Sequence, residues 1–196
     1  MRPRCGRRWA MNGGTGRVPR VIVGISRSPA SWWALAWAVG EARRRGACLL
    51  LIHVFRPPSA PVVADYRYGV LSVPRDPYVD CMERGYALIG GAITQAVGWM
   101  PGDVAIEQHV LPGRPAVKLA RLAHGDDVIV LGCRRRGLLR RLAPGSVGRA
   151  CARRADCPVV IVPEPSPSVL QASLPAGSAR VSWFRRVPRR GARTAS

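Results

Sequence analysis

The residues with the types and spacing to do chemistry are concentrated between Val128 and Pro163. A β-type apolar run over 128–131 ends on Gly132, and a Gly/Arg-rich loop follows. Gly145-Ser146 then opens a helix, and a second apolar run over 158–162 closes the unit. Strand, glycine loop, helix start and strand make a βαβ unit of the kind that holds an anion. Backbone N–H groups at a helix start have no partner within the helix, and the helix dipole adds partial positive charge there. Arg134, Arg135, Arg136, Arg140 and Arg141 supply planar guanidinium forks that match phosphate oxygens.

Other reactive side chains do not assemble into a catalytic set. His53 sits near the end of an apolar strand and reads as a structural histidine, while His109 and His124 lack a neighbouring nucleophile and carboxylate. Ser146 is not in a G-x-S-x-G elbow, and Asp126-Asp127 read as a cap or turn before a strand. None of the six cysteines forms a CxxC or has zinc-ligand spacing to a histidine, so no metal site is expected. With no acid, base and nucleophile together, the expectation is that the protein is not an enzyme.

The elements that position these residues alternate regularly. Residues 20–25 are a β-branched run ending in a Ser26-Arg27-Ser28 turn. Ser28-Pro29 offers an N-cap and a proline at the first helical position. The helix it starts is predicted to run to about Arg45, with Trp33, Ala36, Trp37 and Gly40 on one apolar face and Gly46 as its stop. Residues 47–55 are nearly all apolar, as suits a parallel strand covered on both faces. After a proline-rich loop over 56–77, a long amphipathic helix is predicted over 78–100, a strand over 104–111 and a helix over 114–124. With the βαβ unit this predicts an α/β fold: one doubly wound, Rossmann-like, five-stranded parallel sheet with four helices. Ligands in such sheets bind outside the carboxyl ends of the strands, where strand order reverses.

Several of these segments, taken in order, resemble the universal stress protein family: VIVGISRSPAS, LLLIHVF, LPGRPAVKLARLA, DDVIVLG, Gly145-Ser-Val and CPVVIVP. The likeness spans residues 18–163. Nucleotide-binding members carry a glycine, two spacers, a second glycine, nine spacers, then Gly-Ser or Gly-Thr. Gly132, Gly145 and Ser146 fall in register with that pattern, and Arg135 stands at the second glycine. The resemblance implies ATP as ligand. It places Ile25 and Ser26 at the end of the first strand, with Ser26 where relatives have an aspartate, and the backbone at Val54 beside the adenine. Leu131 and Gly132 would lie under ribose and phosphates, and Gly145, Ser146 and Val147 would hold the triphosphate. Two positions depart from the pattern. Ser26 lacks the charge and double-acceptor reach of a carboxylate, and Arg135 forfeits the freedom of glycine while adding a cation. The resemblance also implies a homodimer, with the last strand, from Cys157 to Val162, pairing between subunits.

The chain has 31 lysines and arginines against 11 acids, a formal net charge of +20, with Lys118 its only lysine. Such charge suits phosphate-rich partners. A composition heavy in Arg, Ala, Gly, Pro and Val equally fits a GC-rich coding sequence, and that blander reading is preferred. Residues 1–17 read as a disordered basic leader, 18–163 as the domain, and 164–196 as a disordered Pro/Ser/Arg-rich tail. No apolar run is long enough to span a membrane, and the N-terminus lacks the apolar stretch of a signal peptide, so the expected location is the cytoplasm. The leading expectation is a non-catalytic stress-response regulator with an ATP site. The alternatives are a dimeric scaffold that has lost nucleotide binding and, last, nucleic-acid binding through the arginine-rich tails. That last reading lacks a recognised motif or an aromatic platform.

Overall fold

The computed structural model describes residues 18–58, 76–134 and 146–166. The expected leader 1–17, the tail beyond residue 166, and both Arg135 and Gly145 lie outside the described residues. Nine elements alternate: β1 (Arg20–Ile25), α1 (Pro29–Arg45), β2 (Cys48–Phe55), α2 (Pro77–Val97), β3 (Ile106–Pro112), α3 (Pro115–Leu122), β4 (Val128–Cys133), α4 (Val147–Ala152) and β5 (Val159–Pro163). All paired strands are parallel, in the order β3-β2-β1-β4-β5. The winding therefore reverses at β1, as in a doubly wound sheet.

Proline and glycine set the element ends. Pro29, Pro77 and Pro115 each stand in the first helical turn, where a missing N–H costs nothing. Gly46 stops α1 in the left-handed conformation, φ 58°, with its N–H returned to the last turn. Strands β1, β2 and β4 lie inside the sheet and are buried almost throughout, which is why their sequences lack polar alternation.

Two apolar layers flank the sheet. Val21, Val23, Leu49, Leu51, Val128 and Val130 pack under α1 and α2. Residues of opposite parity, Ile22, Leu50, Ile52, Ile129 and Leu131, pack under α3 and α4 with Leu119, Ala123 and Cys151. Burial pushes the Cys151 thiol up to about 11, with nearby Cys157 adding to the effect.

One expectation is corrected here. The face of α1 carrying Trp33, Ala36, Trp37 and Gly40 is not the packing face. The buried residues are Ala30, Ser31, Ala34, Leu35, Ala38, Val39, Glu41 and Ala42, while Trp37 is 40% exposed. Alanines at steps of four let the helix backbone approach the sheet closely, and a tryptophan in that row would hold it away. The last helix, expected to open at Gly145-Ser146, has Ser146 as its N-cap, begins at Val147 and has six residues.

At the amino end of the sheet, Asp127 ties the structure together. Its carboxylate accepts from the Arg20 backbone N–H (3.0 Å), the Arg20 Nε (3.2 Å) and the His124 N–H (2.9 Å). Burial alone would raise its pKa, but the Arg20 guanidinium and the two backbone donors outweigh burial and hold it below its ordinary value. This turn residue is thus a clamp between β1 and β4, on the side of the sheet away from the strand carboxyl ends.

Candidate functional site

The strand register builds the floor of a cleft. Ile52 of β2 pairs with Gly24 of β1, Gly24 with Leu131 of β4, and Leu131 with Ile161 of β5. These four residues form one row across the sheet on the side covered by α3 and α4. The middle position has no side chain. A Cβ on Gly24 would sit 2.5 Å from Leu131 Cδ2 and 3.3 Å from Leu119 Cδ1, so the glycine lets these two leucines close over β1 and make the apolar floor. The walls come from Pro115 and Leu119 of α3, from Val147, Gly148 and Arg149 of α4, and from His53-Val54. The cavity measures about 370 Å³ and opens at the carboxyl ends of β1, β2 and β4, where the winding reverses. That volume lies at the low end of the roughly 300–1,000 Å³ typical of ligand clefts.

Ile25, Ser26, Val54, Leu131, Gly132, Ser146 and Val147 all line this cleft. Each contributes differently. The Ile25 side chain points to the other side of the sheet, into the α1–α2 layer, and the residue presents its backbone. Its carbonyl accepts from His53 Nδ1–H at 2.9 Å, which bridges β1 and β2. Ser26 is exposed at the mouth, and its Oγ accepts from the Ser28 N–H at 3.3 Å. The Ser31 hydroxyl is shared between the carbonyls of Ser26 (2.8 Å) and Ser28 (2.7 Å), fixing the turn from β1 into α1.

Gly132 has a structural reason to be glycine. A Cβ there would lie 2.6 Å from Ser31 N and closer still to the Ala30 carbonyl. The first turn of α1 thus crosses β4 at backbone contact. This crossing, more than access to a ligand, forbids a side chain at 132. The expected cap of α1 differs in a related way. Ser28 occupies the N-cap position, but its hydroxyl caps no helix amide and instead accepts from Arg134 Nε at 3.0 Å. That bond places a guanidinium from the end of β4 at the start of α1.

Ser146 is the N-cap of α4, and its Oγ accepts from the Arg149 N–H at 3.3 Å. Its hydroxyl therefore has a folding role alongside any ligand contact, and the short helix offers little dipole. Arg135 and Gly145 fall outside the described residues.

Gly24, Ile52, Leu119 and Ile161, which shape most of the apolar cavity, were not singled out from sequence. Only Gly24 carried a signal, as a glycine interrupting a β-branched run. Among the described residues no three of His, Cys, Asp and Glu gather into a metal-binding group. No described helix is long and apolar enough to cross a membrane. Chemically, the cleft can enclose a flat apolar ring and leave a polar or charged group at a mouth of hydroxyls, backbone amides and arginine.

Comparison with known proteins agrees with this architecture. The sequence profile of the universal stress protein family matches residues 18–163. Universal stress protein Rv2623 of Mycobacterium tuberculosis is 30% identical over 146 residues, covering 72% of this chain and 46% of that protein. A universal stress protein of Mycolicibacterium smegmatis is 31% identical over 153 residues, covering 74% and 46%. The chain thus spans about half the length of these relatives. A crystal structure of a universal stress protein in complex with cAMP aligns with a TM-score of 0.54 at 25% identity, covering 74% of this chain and 96% of that one.

Proposed function

The chain belongs to the universal stress protein family, and from that premise we propose that it is a regulatory, non-catalytic protein whose cleft takes up an adenine nucleotide. The observation that carries this reading is the apolar row Ile52, Gly24, Leu131 and Ile161, set at the point where the winding reverses. Leu131 and Leu119 close over Gly24, and the purine would lie above them toward the strand carboxyl ends, beside Pro115 and with the Val54 backbone at its edge. The phosphate end would face the mouth, where Ser26, Gly132, Ser146 and Val147 stand and Arg134 supplies charge. The structural relative in complex with cAMP supports an adenine nucleotide as the ligand class, and ATP is the member of that class we assign. Regulation would pass through a homodimer made by β5. This strand is an edge of the sheet, and its apolar residues Val159 to Val162 are only half-buried. The protein would act in the cytoplasm.

Calorimetry with ATP and with adenosine tests the site. The expected result is tighter binding of ATP, weakened by salt because the phosphates meet exposed charge. Nucleotide released on denaturing freshly purified protein should be adenine-based. A specific observation favours the scaffold reading as the competitor: Ser26 brings no carboxylate to the mouth, and its hydroxyl is already engaged with Ser28. Absence of binding by both ligands, with the dimer intact, would leave that reading standing.

A further inference from the structure

The two helical faces of the domain treat their arginines differently. On the α1–α2 side, cations are neutralised. Arg43 pairs with Asp103, Arg44 and Arg45 clamp the buried Glu41, and Arg84 reaches Asp80. On the other side, α3 and α4 lie against each other, with the Cys151 thiol directed at the Ala116 carbonyl at 3.8 Å. Helix α3 buries Leu119 and Ala120, and helical geometry turns Lys118 and Arg121 to the opposite side, the first half-buried and the second exposed; Arg114, the extended N-cap, is exposed at the start of the helix. Helix α4 buries Cys151 and turns Arg149 and Arg153 outward, with Arg154 beside them. Among the described residues, Arg114, Lys118, Arg121, Arg153 and Arg154 make no ion pair with a carboxylate. The turns that follow the two helices add Asp126 and Asp156, beside the buried Asp127 that Arg20 already engages.

We propose that this α3–α4 face docks the phosphate backbone of double-stranded nucleic acid without reading its sequence. Arg149 walls the nucleotide cleft and is set aside, and the other five cations lie outside the cleft lining. Four of these five cations are arginines, whose forked donors match phosphodiester oxygens. The stripe on α3 extends roughly 10 Å at about 1.5 Å per residue. Helix α4 runs alongside at a typical spacing of about 8–10 Å. That footprint meets several phosphates of a duplex carrying one charge per roughly 1.7 Å of axis. The only large apolar side chain exposed on these two helices is Val147. Among the described residues, these two helices therefore present no aromatic platform for single-stranded bases, no apolar wedge for a bilayer and no aromatic anchor for a protein partner.

The experiment uses the full chain and a labelled DNA duplex of mixed sequence, roughly 20 base pairs long, with anisotropy followed from about 0.05 to 0.2 M salt. A face variant (Arg114→Gln, Arg121→Gln and Arg153→Gln together) is compared with a control of equal charge, Arg43→Gln and Arg84→Gln on the α1–α2 side together with Arg56→Gln at the exposed residue directly after β2. Circular dichroism verifies that both fold. The face variant should bind about tenfold more weakly or worse, with a log–log salt slope shallower by about 2.7, at about 0.9 per lost phosphate contact. The control should stay within about twofold of the parent. Equal losses in both variants would show that net charge or the basic tails carry binding, and would overturn the proposal. So would an unchanged face variant, a parent that does not bind duplex, or a parent that prefers phosphatidylserine vesicles to duplex at the same salt.

Discussion

Replacing Gly132 by alanine should destabilise the fold before it says anything about ligand. The new Cβ would lie 2.6 Å from Ser31 N, with the Ala30 carbonyl nearer still. An ordinary carbon contact needs about 3.5–4.0 Å. The obstacle is backbone, so no rotamer change relieves it and the first turn of α1 must retreat by about 1 Å. That turn carries Ala30 and Ser31, 1% and 2% exposed, so its retreat loosens the packing of α1 on β1 and β4. Overpacking of this kind costs about 1–3 kcal/mol, and a rigid backbone obstacle belongs at the upper end. For a domain of this size, about 2–3 kcal/mol lowers the melting temperature by roughly 5–10 °C. Calorimetric melting of the ligand-free protein reads this directly. Gly148→Ala serves as the contrast, because its Cβ would meet only the Ile161 Cδ1 end at 2.8 Å, which can swing away. It should melt within a few degrees of the parent. Should Gly132→Ala melt like the parent while losing nucleotide, the reasoning is refuted and the glycine serves the ligand instead of the helix crossing.

Gly90 and Gly91 stand exposed in the interior of α2, where an added Cβ meets nothing within 4 Å. Alanine at either should stabilise by about 1 kcal/mol through helix propensity, measured by denaturant unfolding. Asp127→Asn removes the buried partner of Arg20 and should cost about 3 kcal/mol at neutral pH. Because the Asp127 pKa is lowered in the folded state, its contribution is complete above the unfolded carboxyl value of about 3.9 and fades as pH falls through the folded value. The variant should therefore show a flatter loss of stability in acid than the parent. Ser146→Ala strips the acceptor from the Arg149 N–H and should cost about 1 kcal/mol of stability even without nucleotide. An unchanged melting curve with weakened ATP binding would make Ser146 a ligand contact alone.

Much of the fold was legible because local and global signals agree. Buried parallel strands declare themselves as unbroken apolar runs, and Pro29, Pro115 and Gly46 mark helix ends by backbone chemistry that needs no tertiary context. The packing face of α1 was not legible. Large apolar residues suggest the core, yet here close approach to the sheet selects alanines and leaves Trp37 outside. The cleft was half legible. Resemblance pointed to the strand ends that meet at its mouth, but the floor depends on which residues align across four strands, and register cannot be read from one strand alone. Gly132 shows the limit of motif reading, since the same glycine satisfies a phosphate-loop pattern and a helix crossing. Only the position of Ala30 separates the two.

Whether an adenine nucleotide occupies this cleft is read by titrating ATP into the parent and into Val54→Trp, a change that fills the cavity from a half-buried wall position. The account expects saturable binding of one ATP per chain in the parent and a loss of about thirtyfold or more in the variant, on the scale of a blocked apolar subsite, with the melting temperature retained. Equal affinity in the two proteins would place the nucleotide elsewhere and contradict the account.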